Sequence, residues 1–375
     1  MSPVVLIAGG GTGGHLMPAL AIADAVARER GFEPVLVGAE RGVEARILPT
    51  RPYRHYLLPS QPLYRHQWWK NLRSPVAGWR VCRGVRALLE AERPAVAIGT
   101  GGYASAPVLW FAARRGIPIA LQEQNAWPGL ATRWLAKRAR HVYLGLPEAR
   151  TRIRVGPETE VFDTGNPIMP PDPSRRPRAR ELFGLRSEAP VLLIMGGSQG
   201  ALAVNRVVAE WLGAGGGSGL QVIWAAGPRS YDEFRRFHAP PDVQVVEFLD
   251  PIADAYAVAD LVVARAGALT IAELCAWGLP SILIPLPSAA ADHQTFNARA
   301  MADSGAARLL PQAELTPDQL GREVTALLSD DVRRNAMANR AGQRGRPDAA
   351  AQIVSRLLTL LPAPQSFATQ GKIVN

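Results

Sequence analysis

The chain has 375 residues, of which 47% are hydrophobic and 20% charged, which fits folded globular domains and argues against a disordered or fibrous protein. Lysine and arginine number 42 against 32 for aspartate and glutamate, and this net charge of +10 favours an anionic partner such as nucleic acid, acidic lipid or a phosphorylated substrate. The two cysteines, Cys82 and Cys275, lie far apart in the sequence, which excludes a disulfide framework and suits a reducing compartment.

The first half of the chain alternates short apolar strands with helical stretches. Residues 4–8 form an apolar run that is short and has no basic lead, so we interpret it as a buried strand and not as a signal peptide. This strand enters a glycine turn at 9–14, and a helix follows at 16–28. No stretch reaches the roughly 18 apolar residues that a membrane span needs. Further strands are predicted at 35–38, 95–98 and 117–121.

The segment 151–180 separates this half from a second half that repeats its pattern. Its prolines leave little room for a helix or a central strand, so we interpret it as a linker. A second glycine turn at 196–200 then precedes a helix at 201–212. Strands are predicted at 191–195, 221–225, 243–248, 261–264 and 281–285.

This pattern predicts an α/β protein with two doubly wound, Rossmann-like domains of parallel sheet. A chain of this length exceeds the usual size of one hydrophobic core, which also favours two domains. We expect the first domain at 1–163 and the second at 164–345. Residues 346–375 are expected to form a helix and tail that can pack back on the first domain.

Both glycine turns have the form of an anion-binding site. Gly9, Gly11 and Gly14 satisfy the G-x-G-x-x-G spacing, which lets the backbone approach an anion at a helix N-terminus. The same spacing fits a turn without a ligand, or a dinucleotide site in which Glu40 would hold a ribose. The second turn offers Ser198 as a donor to a phosphate oxygen. Two such turns in two domains predict a cleft between them.

The segment 265–273 carries the strongest local signal in the chain. If a helix starts near Gly267, its free amides and Thr270 can hold a diphosphate. Glu273, one turn further on, can accept two hydrogen bonds from a ribose diol. The alternative is that Glu273 is a first-turn acid that only stabilises the helix dipole.

Six motifs, taken in order, resemble those of the MurG family of N-acetylglucosamine transferases. The resemblance covers residues 4 to about 360 and implies the GT-B fold, in which two such domains face a cleft. It also implies inverting transfer of GlcNAc from UDP-GlcNAc to the muramyl 4-hydroxyl of lipid I, which forms lipid II in peptidoglycan synthesis. The motifs are GGTGGH at 10–15, GGY at 101–103, EQN at 123–125, GNP at 165–167, GGSQGA at 196–201, and GALT at 267–270 continued to Glu273.

The resemblance implies roles for individual residues as well. In the donor site, Glu273 would hold the ribose, the backbone near Leu249 the uracil, and Gln294 a sugar hydroxyl. The implied donor-binding residues are Thr12, Gly13, Gly14, Asn125, Ser198, Leu249, Ala268, Leu269, Thr270, Glu273 and Gln294. The acceptor diphosphate is expected at Gly10, Gly11, Gly101, Gly102 and Tyr103. Two positions depart from the family: Met169 replaces a common Arg, which puts a donor contact there in doubt, and Gln122 replaces a frequent His.

The implied reaction needs a base and a stabilised leaving group. His15, at the end of the first glycine turn, has an intrinsic pKa of about 6.5 that suits a base. The alternative is that His15 only caps or orients its loop. The amides near Gly267 can stabilise the charge that develops on departing UDP. We therefore expect no obligatory metal or other cofactor, and turnover that persists in a chelator.

Aromatic and basic residues alternate between positions 63 and 86. Trp68, Trp69, Lys70, Arg73 and Trp79 suit the headgroup layer of an anionic membrane. The alternative is a helix that buries its tryptophans in the core and exposes its arginines. We expect a peripheral protein at the cytoplasmic face of the cell membrane whose partners are UDP-GlcNAc, lipid I and the anionic inner-membrane surface, and not nucleic acid.

Two other function classes fit part of the sequence. An NAD(P)-dependent Rossmann oxidoreductase is the alternative enzyme, and it predicts one nucleotide turn and a dissimilar second domain. A basic module without catalytic activity would explain the charge, but it would leave both glycine turns unexplained.

Overall fold

The computed structural model describes residues 2–60, 74–186 and 189–361. Within these residues the chain forms two parallel β-sheets, one of seven strands and one of six. Helices cover both faces of each sheet, so the prediction of two doubly wound α/β domains is confirmed.

The first sheet begins at the amino terminus. Its strands are β1 (Val4–Gly9), β2 (Glu33–Ala39), β3 (Arg54–Leu58), β4 (Val96–Gly101), β5 (Ile119–Glu123), β6 (His141–Leu144) and β7 (Glu160–Phe162). The helices around it are α1 (Gly13–Arg28), α2 (Glu44–Ile47), α3 (Ser74–Glu92), α4 (Ser105–Arg114) and α5 (Leu130–Leu135). The strand order β3-β2-β1-β4-β5-β6-β7 reverses direction between β1 and β4, which is where such sheets bind ligands.

Alternation along the central strand β1 explains why this sheet is covered on both sides. Leu6 and Ala8 pack with residues of α3, α4 and α5 on one face. Val5 and Ile7 point the other way and pack with α1. Burial of a Leu or Ile side chain stabilises the fold by about 1.5–3 kcal/mol, so a strand that is apolar on both faces is held firmly at the centre.

The second sheet repeats this arrangement. Its strands are β8 (Val191–Met195), β9 (Gln221–Ala225), β10 (Val243–Val246), β11 (Leu261–Ala264), β12 (Ser281–Leu283) and β13 (Arg308–Leu309). Its helices are α6 (Arg176–Leu182), α7 (Leu202–Gly213), α8 (Tyr231–Phe234), α9 (Ile252–Val258), α10 (Ala268–Trp277), α11 (His293–Asp303), α12 (Pro317–Leu328) and α13 (Asp331–Arg344). The order β10-β9-β8-β11-β12-β13 reverses between β8 and β11. Each domain therefore has one switch point for a ligand.

The helix α14 (Ala349–Leu358) follows the second domain in sequence but packs on the first. Ile353, Val354 and Leu357 are buried in the cluster that α1 forms with the back of the first sheet. The end of the chain thus returns to the amino-terminal sheet, and the structure describes it as far as Leu361.

The segment 151–180 contains more regular structure than the sequence analysis predicted. β7 lies within it and pairs with β6 alone, so it is an edge strand. α6 begins at Arg176 with Pro177 in its first turn, where the missing N–H of proline costs nothing. The exclusion of helix was therefore wrong for the end of this segment, although the exclusion of a central strand fits the structure.

Candidate active site

The predicted motifs lie at the switch points of the two sheets. In the first domain, the glycine turns after β1 and β4 are neighbours. In the second domain, the turn after β8 lies beside the start of α10, which follows β11. The two switch points approach each other, since the side chain of Asn297 in α11 donates to Oδ1 of Asn125 in the loop after β5 at 3.1 Å.

His15 lies in the first turn of α1, between the two glycine turns. Its Nδ1 atom is 3.0 Å from the carbonyl oxygen of Thr100 and 3.2 Å from Oε1 of Gln124. The Thr100 hydroxyl donates to the backbone oxygen of His15 at 2.7 Å. Three contacts thus fix this side chain and its turn of helix.

Glycine is required where β4 ends because the two turns touch. Gly101 has φ +96°, and a Cβ atom there would lie 2.8 Å from Nδ1 of His15. Gly102 has φ +81°, and its Cβ would lie 1.9 Å from the oxygen of Gly10. Any side chain at these positions would therefore displace His15 or the first turn.

The environment of His15 lowers its pKa below the ordinary value of 6.5. Burial is the main cause and the charge of His293 adds to it, whereas Glu123 and the hydrogen bonds with Gln124 and Thr100 oppose it. Burial therefore favours the neutral imidazole.

This lowered pKa leads to a prediction for pH dependence. The unfolded chain binds a proton at this side chain near its ordinary value of 6.5, above the folded value, so its contribution to folding free energy is lost as pH falls below that value. NMR titration of His15 should give a midpoint below pH 6.5. A midpoint above that value would contradict the burial argument.

A buried carboxylate that the sequence analysis missed lies behind the first glycine turn. Oε1 of Glu44 accepts from the backbone N–H of Gly11 at 2.7 Å and of Ala39 at 2.9 Å. The Gly11 amide is therefore engaged inside the protein. Gly10 packs directly on Glu44, and Gly11 on the half-buried Tyr103 ring. In the sequence, the contact between Glu44 and the first glycine turn is indicated only by the few residues that separate Glu44 from the end of β2.

The exposed residues of the first glycine turn are those that the sequence analysis assigned to the UDP-GlcNAc site. Thr12, Gly13 and Gly14 are exposed at the start of α1. Glu40, the ribose acid of the dinucleotide alternative, is exposed at the end of β2. The acid that approaches the turn is Glu44 instead, and it is fully buried.

The second domain presents a helix N-terminus at its switch point. α10 begins at Ala268 with Gly267 as its N-cap, as the sequence predicted. Leu269 and Thr270 are half-buried in the first turn, whereas Ser198 is exposed in the turn after β8. The amides of this first turn have no partners within their own helix and suit a diphosphate.

Glu273 lies in the second turn of α10 and has a partner that the sequence did not indicate. The Tyr256 hydroxyl of α9 donates to Oε2 of Glu273 at 2.9 Å. Burial raises the pKa of Glu273, and the hydrogen bond from Tyr256 opposes this shift. Tyr256 therefore orients the carboxylate and stabilises its charged form.

The two domains are joined beside the site by Asn125 and Asn297. The Asn297 side chain donates to Oδ1 of Asn125 at 3.1 Å and to the oxygen of Ala266 at 3.2 Å. Its Oδ1 accepts from the backbone N–H of Ala126 at 2.8 Å. Glu123 holds the same loop by accepting from the N–H groups of Asn125 and Gly129. The sequence analysis did not identify Asn297 as a site residue.

The remaining donor positions lie at the edges of this site. Oε1 of Gln294 accepts from the backbone N–H of Leu286 at 3.0 Å, which leaves its amide nitrogen as a donor. Leu249, which follows β10, has a buried side chain, so only its backbone can contact the uracil of the donor. Met169 is 83% exposed and contributes no fixed group.

Other predictions concern metals and the membrane. Over residues 2–60, 74–186 and 189–361, no three His, Cys, Asp or Glu side chains form a group that could hold a metal ion. The described helices include none that is long and apolar enough to span a membrane. Trp68, Trp69, Lys70 and Arg73 lie outside the described residues. Trp79 is 60% exposed on α3, so the interpretation that it is buried in the core is wrong.

Comparison with known proteins finds relatives along nearly the whole chain. Residues 5–144 match the glycosyltransferase family 28 N-terminal domain, and residues 191–353 match the glycosyltransferase family 28 C-terminal domain. A Salinibacter ruber protein named UDP-N-acetylglucosamine--N-acetylmuramyl-(pentapeptide) pyrophosphoryl-undecaprenol N-acetylglucosamine transferase is 41% identical, over 96% of this chain and 97% of that protein. A Myxococcus xanthus protein of the same name is 40% identical, over 98% and 95% of the two chains.

A solved structure gives the same result. MurG from Acinetobacter baumannii matches with a TM-score of 0.75 at 27% identity, over 96% of this chain and 100% of that one. The predicted GT-B fold is thereby confirmed. The oxidoreductase alternative finds no support, because the second domain repeats the first and is not dissimilar from it. The chain belongs to the MurG family of N-acetylglucosamine transferases, within glycosyltransferase family 28.

Proposed function

We propose that this protein transfers GlcNAc from UDP-GlcNAc to the 4-hydroxyl of the muramyl sugar of lipid I, which forms lipid II. One observation carries the proposal: a histidine lies at the switch point of one domain and a helix N-terminus lies at that of the other, and Asn125 and Asn297 join the two domains beside them. The first group suits removal of a proton from a hydroxyl, and the second suits a diphosphate leaving group. The family membership of the chain supports the identity of both substrates.

The donor would bind on the second domain. The free amides of Ala268, Leu269 and Thr270 and the Ser198 hydroxyl would hold its diphosphate. Glu273, oriented by Tyr256, would accept from the ribose hydroxyls. The amide nitrogen of Gln294 would donate to a hydroxyl of the sugar.

The reaction would be a single displacement at the anomeric carbon. The acceptor 4-hydroxyl oxygen forms the new bond, the bond to the UDP oxygen breaks, and the configuration inverts. His15 takes the hydroxyl proton, and UDP departs with the negative charge. The N-terminus of α10 stabilises that charge with dipoles that need no reorganisation, so the step needs no metal.

The acceptor is a membrane lipid, and the first domain has a surface that fits the headgroup layer. Trp79 of α3 and Trp134 of α5 are 60% and 52% exposed, and both helices cover the same face of the sheet. Arg83 lies 5.5 Å from the Trp79 ring. A cavity of about 480 Å³ at this domain is lined by the basic side chains of Arg114, Lys137, Arg138 and Arg140, the last of which pairs with Glu158. Exposed tryptophan beside cations suits an anionic bilayer, which supports the proposal that the protein binds peripherally at the cytoplasmic face of the cell membrane.

This membrane surface can be tested with matched pairs of charges. Changing Lys137 and Arg138 to alanine should weaken binding to anionic vesicles about 30-fold, because each cation contributes about 1 kcal/mol near such a surface. Changing Arg235 and Arg236 of the second domain, which are also exposed neighbours, should have little effect. Vesicle co-sedimentation measures both. Equal losses from the two pairs would contradict this docking face.

The proposal as a whole is tested by incubating the protein with labelled UDP-GlcNAc and a lipid I analogue. Formation of a labelled lipid II analogue supports it. Saturable binding of UDP-GlcNAc separates it from a module that only binds membranes or nucleic acid.

A further inference from the structure

Three buried amide side chains connect His15 to the helix that would bind the donor. Gln122 is 1% exposed, Gln124 3% and Asn166 1%. Together they form what we call the amide chain. A buried amide needs an acceptor for its nitrogen and a donor for its oxygen, so the partners of each one fix its orientation.

The orientation of the Asn166 amide, at the end of the amide chain next to α10, is fixed by its backbone partners. The side-chain nitrogen of Asn166 donates to the backbone oxygens of Gln124 at 3.1 Å and of Ala268 at 3.3 Å. Backbone oxygens only accept, so the nitrogen of Asn166 must face them. Its Oδ1 then faces Gln122 and accepts from Nε2 of that residue at 2.9 Å.

The same order of hydrogen-bond donors and acceptors continues from Gln122 to His15. Oε1 of Gln122 accepts from Nε2 of Gln124, which also donates to the oxygen of Thr100 at 2.7 Å. Oε1 of Gln124 is left facing Nδ1 of His15 at 3.2 Å. Nδ1 therefore faces two acceptors, this amide oxygen and the oxygen of Thr100 at 3.0 Å. A proton on Nδ1 satisfies both, and the lone pair of neutral His15 is then on Nε2.

We propose that Gln122, Gln124 and Asn166 are positioning residues that hold neutral His15 as its Nδ1–H tautomer and connect it to the first turn of α10. The inference rests on the proposed function, in which Nε2 takes the proton of the acceptor hydroxyl. An imidazole in water favours the opposite tautomer, whose Nε2 already carries a proton and cannot act as a base. The amide chain thus selects the reactive form before the acceptor binds.

The amide chain also connects Asn166, a residue of the second domain, to His15. Asn166 reaches the first residue of α10 on one side and the loop after β5 on the other. A shift of α10 relative to the first domain would break this contact. The link at Gln122 requires one donor and one acceptor, which a neutral imidazole also supplies and a methionine side chain does not.

The test is nitrogen NMR of the full-length protein labelled with 15N-histidine. The chain has 6 histidines, and the His15 signals are those that disappear in His15→Asn. Wild type should show Nδ1 protonated and Nε2 unprotonated at a pH where His15 is neutral. Gln122→Met should show a mixture of both tautomers, and Gln122→His should restore the wild-type pattern.

Kinetics supply the second readout. Gln122→Met should lower kcat by about 10- to 100-fold, part of the range for general base catalysis, with little change in KM for UDP-GlcNAc. Gln122→His should recover most of the loss. The matched control is Gln221→Leu, which removes another fully buried amide, at the start of β9. It should lower Tm without changing the tautomer of His15.

Two results would overturn the inference: an Nε2–H tautomer in wild type, or a folded Gln122→Met protein whose tautomer and kcat are unchanged. The wild-type spectrum decides the tautomer even if the variant does not fold. If the tautomer responds as expected but wild type transfers no GlcNAc, the proposed function fails and the positioning of His15 stands. The two failures are therefore distinguishable.

Discussion

Replacing His15 with alanine is expected to lower kcat by about 10²- to 10⁴-fold, the usual contribution of a general base. Binding of UDP should change little, because His15 lies on the first domain and the donor groups are mainly on the second. His15 contacts Thr100 and Gln124 through Nδ1, so Nε2 is the ring nitrogen left to take the proton of the acceptor hydroxyl. The alanine variant removes it. Steady-state kinetics together with UDP titration calorimetry measure both quantities.

The control for this variant is His238→Ala in the second domain. His238 accepts from the backbone N–H of Val245, far along the chain from the glycine turns. Its loss should affect stability more than kcat. If His15→Ala loses UDP affinity and kcat by the same factor, His15 supports the donor site and is not the base.

Replacing Glu273 with alanine is expected to do the reverse and weaken UDP-GlcNAc binding by about 10²- to 10⁴-fold. Hydrogen bonds to charged groups contribute about 1.5–3 kcal/mol each, and a ribose diol offers two donors to this carboxylate. kcat at saturating donor should fall much less, because the ribose is remote from the bond that breaks. Tyr256→Phe should give a smaller loss of the same kind, since Tyr256 orients Glu273 at 2.9 Å.

The control is Glu323→Gln, which alters another buried acid of the second domain. Glu323 pairs with Arg308 at 2.8 Å, beside the edge strand β13. Its change should lower Tm and leave the donor KM as it is. If Glu273→Ala lowers Tm without raising the donor KM, Glu273 only stabilises its helix.

The sequence predicted the parts of the fold that depend on local patterns. β8, β9 and β11 occur at the predicted bounds because each is a buried apolar run flanked by turn residues. The short edge strands β3 and β13 were not predicted. Their stability comes from pairing with one neighbour along the sheet, which no local signal in the sequence reports.

The site was predictable where a motif carries the chemistry. Gly267 and Thr270 were placed at a helix start from their position after a strand, and α10 begins there. Tyr256 and Glu44 were missed because their contacts join residues 17 and 33 positions apart. Such pairings depend on how whole helices and strands pack. The sequence therefore indicated Glu273 and Gly11, but not their partners Tyr256 and Glu44.

The central claim is that GlcNAc passes from UDP to the muramyl hydroxyl of lipid I at a site shared by His15 and the N-terminus of α10. The most direct measurement is transfer of labelled GlcNAc from UDP-GlcNAc to a lipid I analogue, with the product linkage determined by NMR. The expected result is a β-1,4-linked lipid II analogue that wild type forms and that His15→Ala forms about 10²- to 10⁴-fold more slowly. Saturable binding of UDP-GlcNAc without any transfer, or an α-linked product, would contradict the claim.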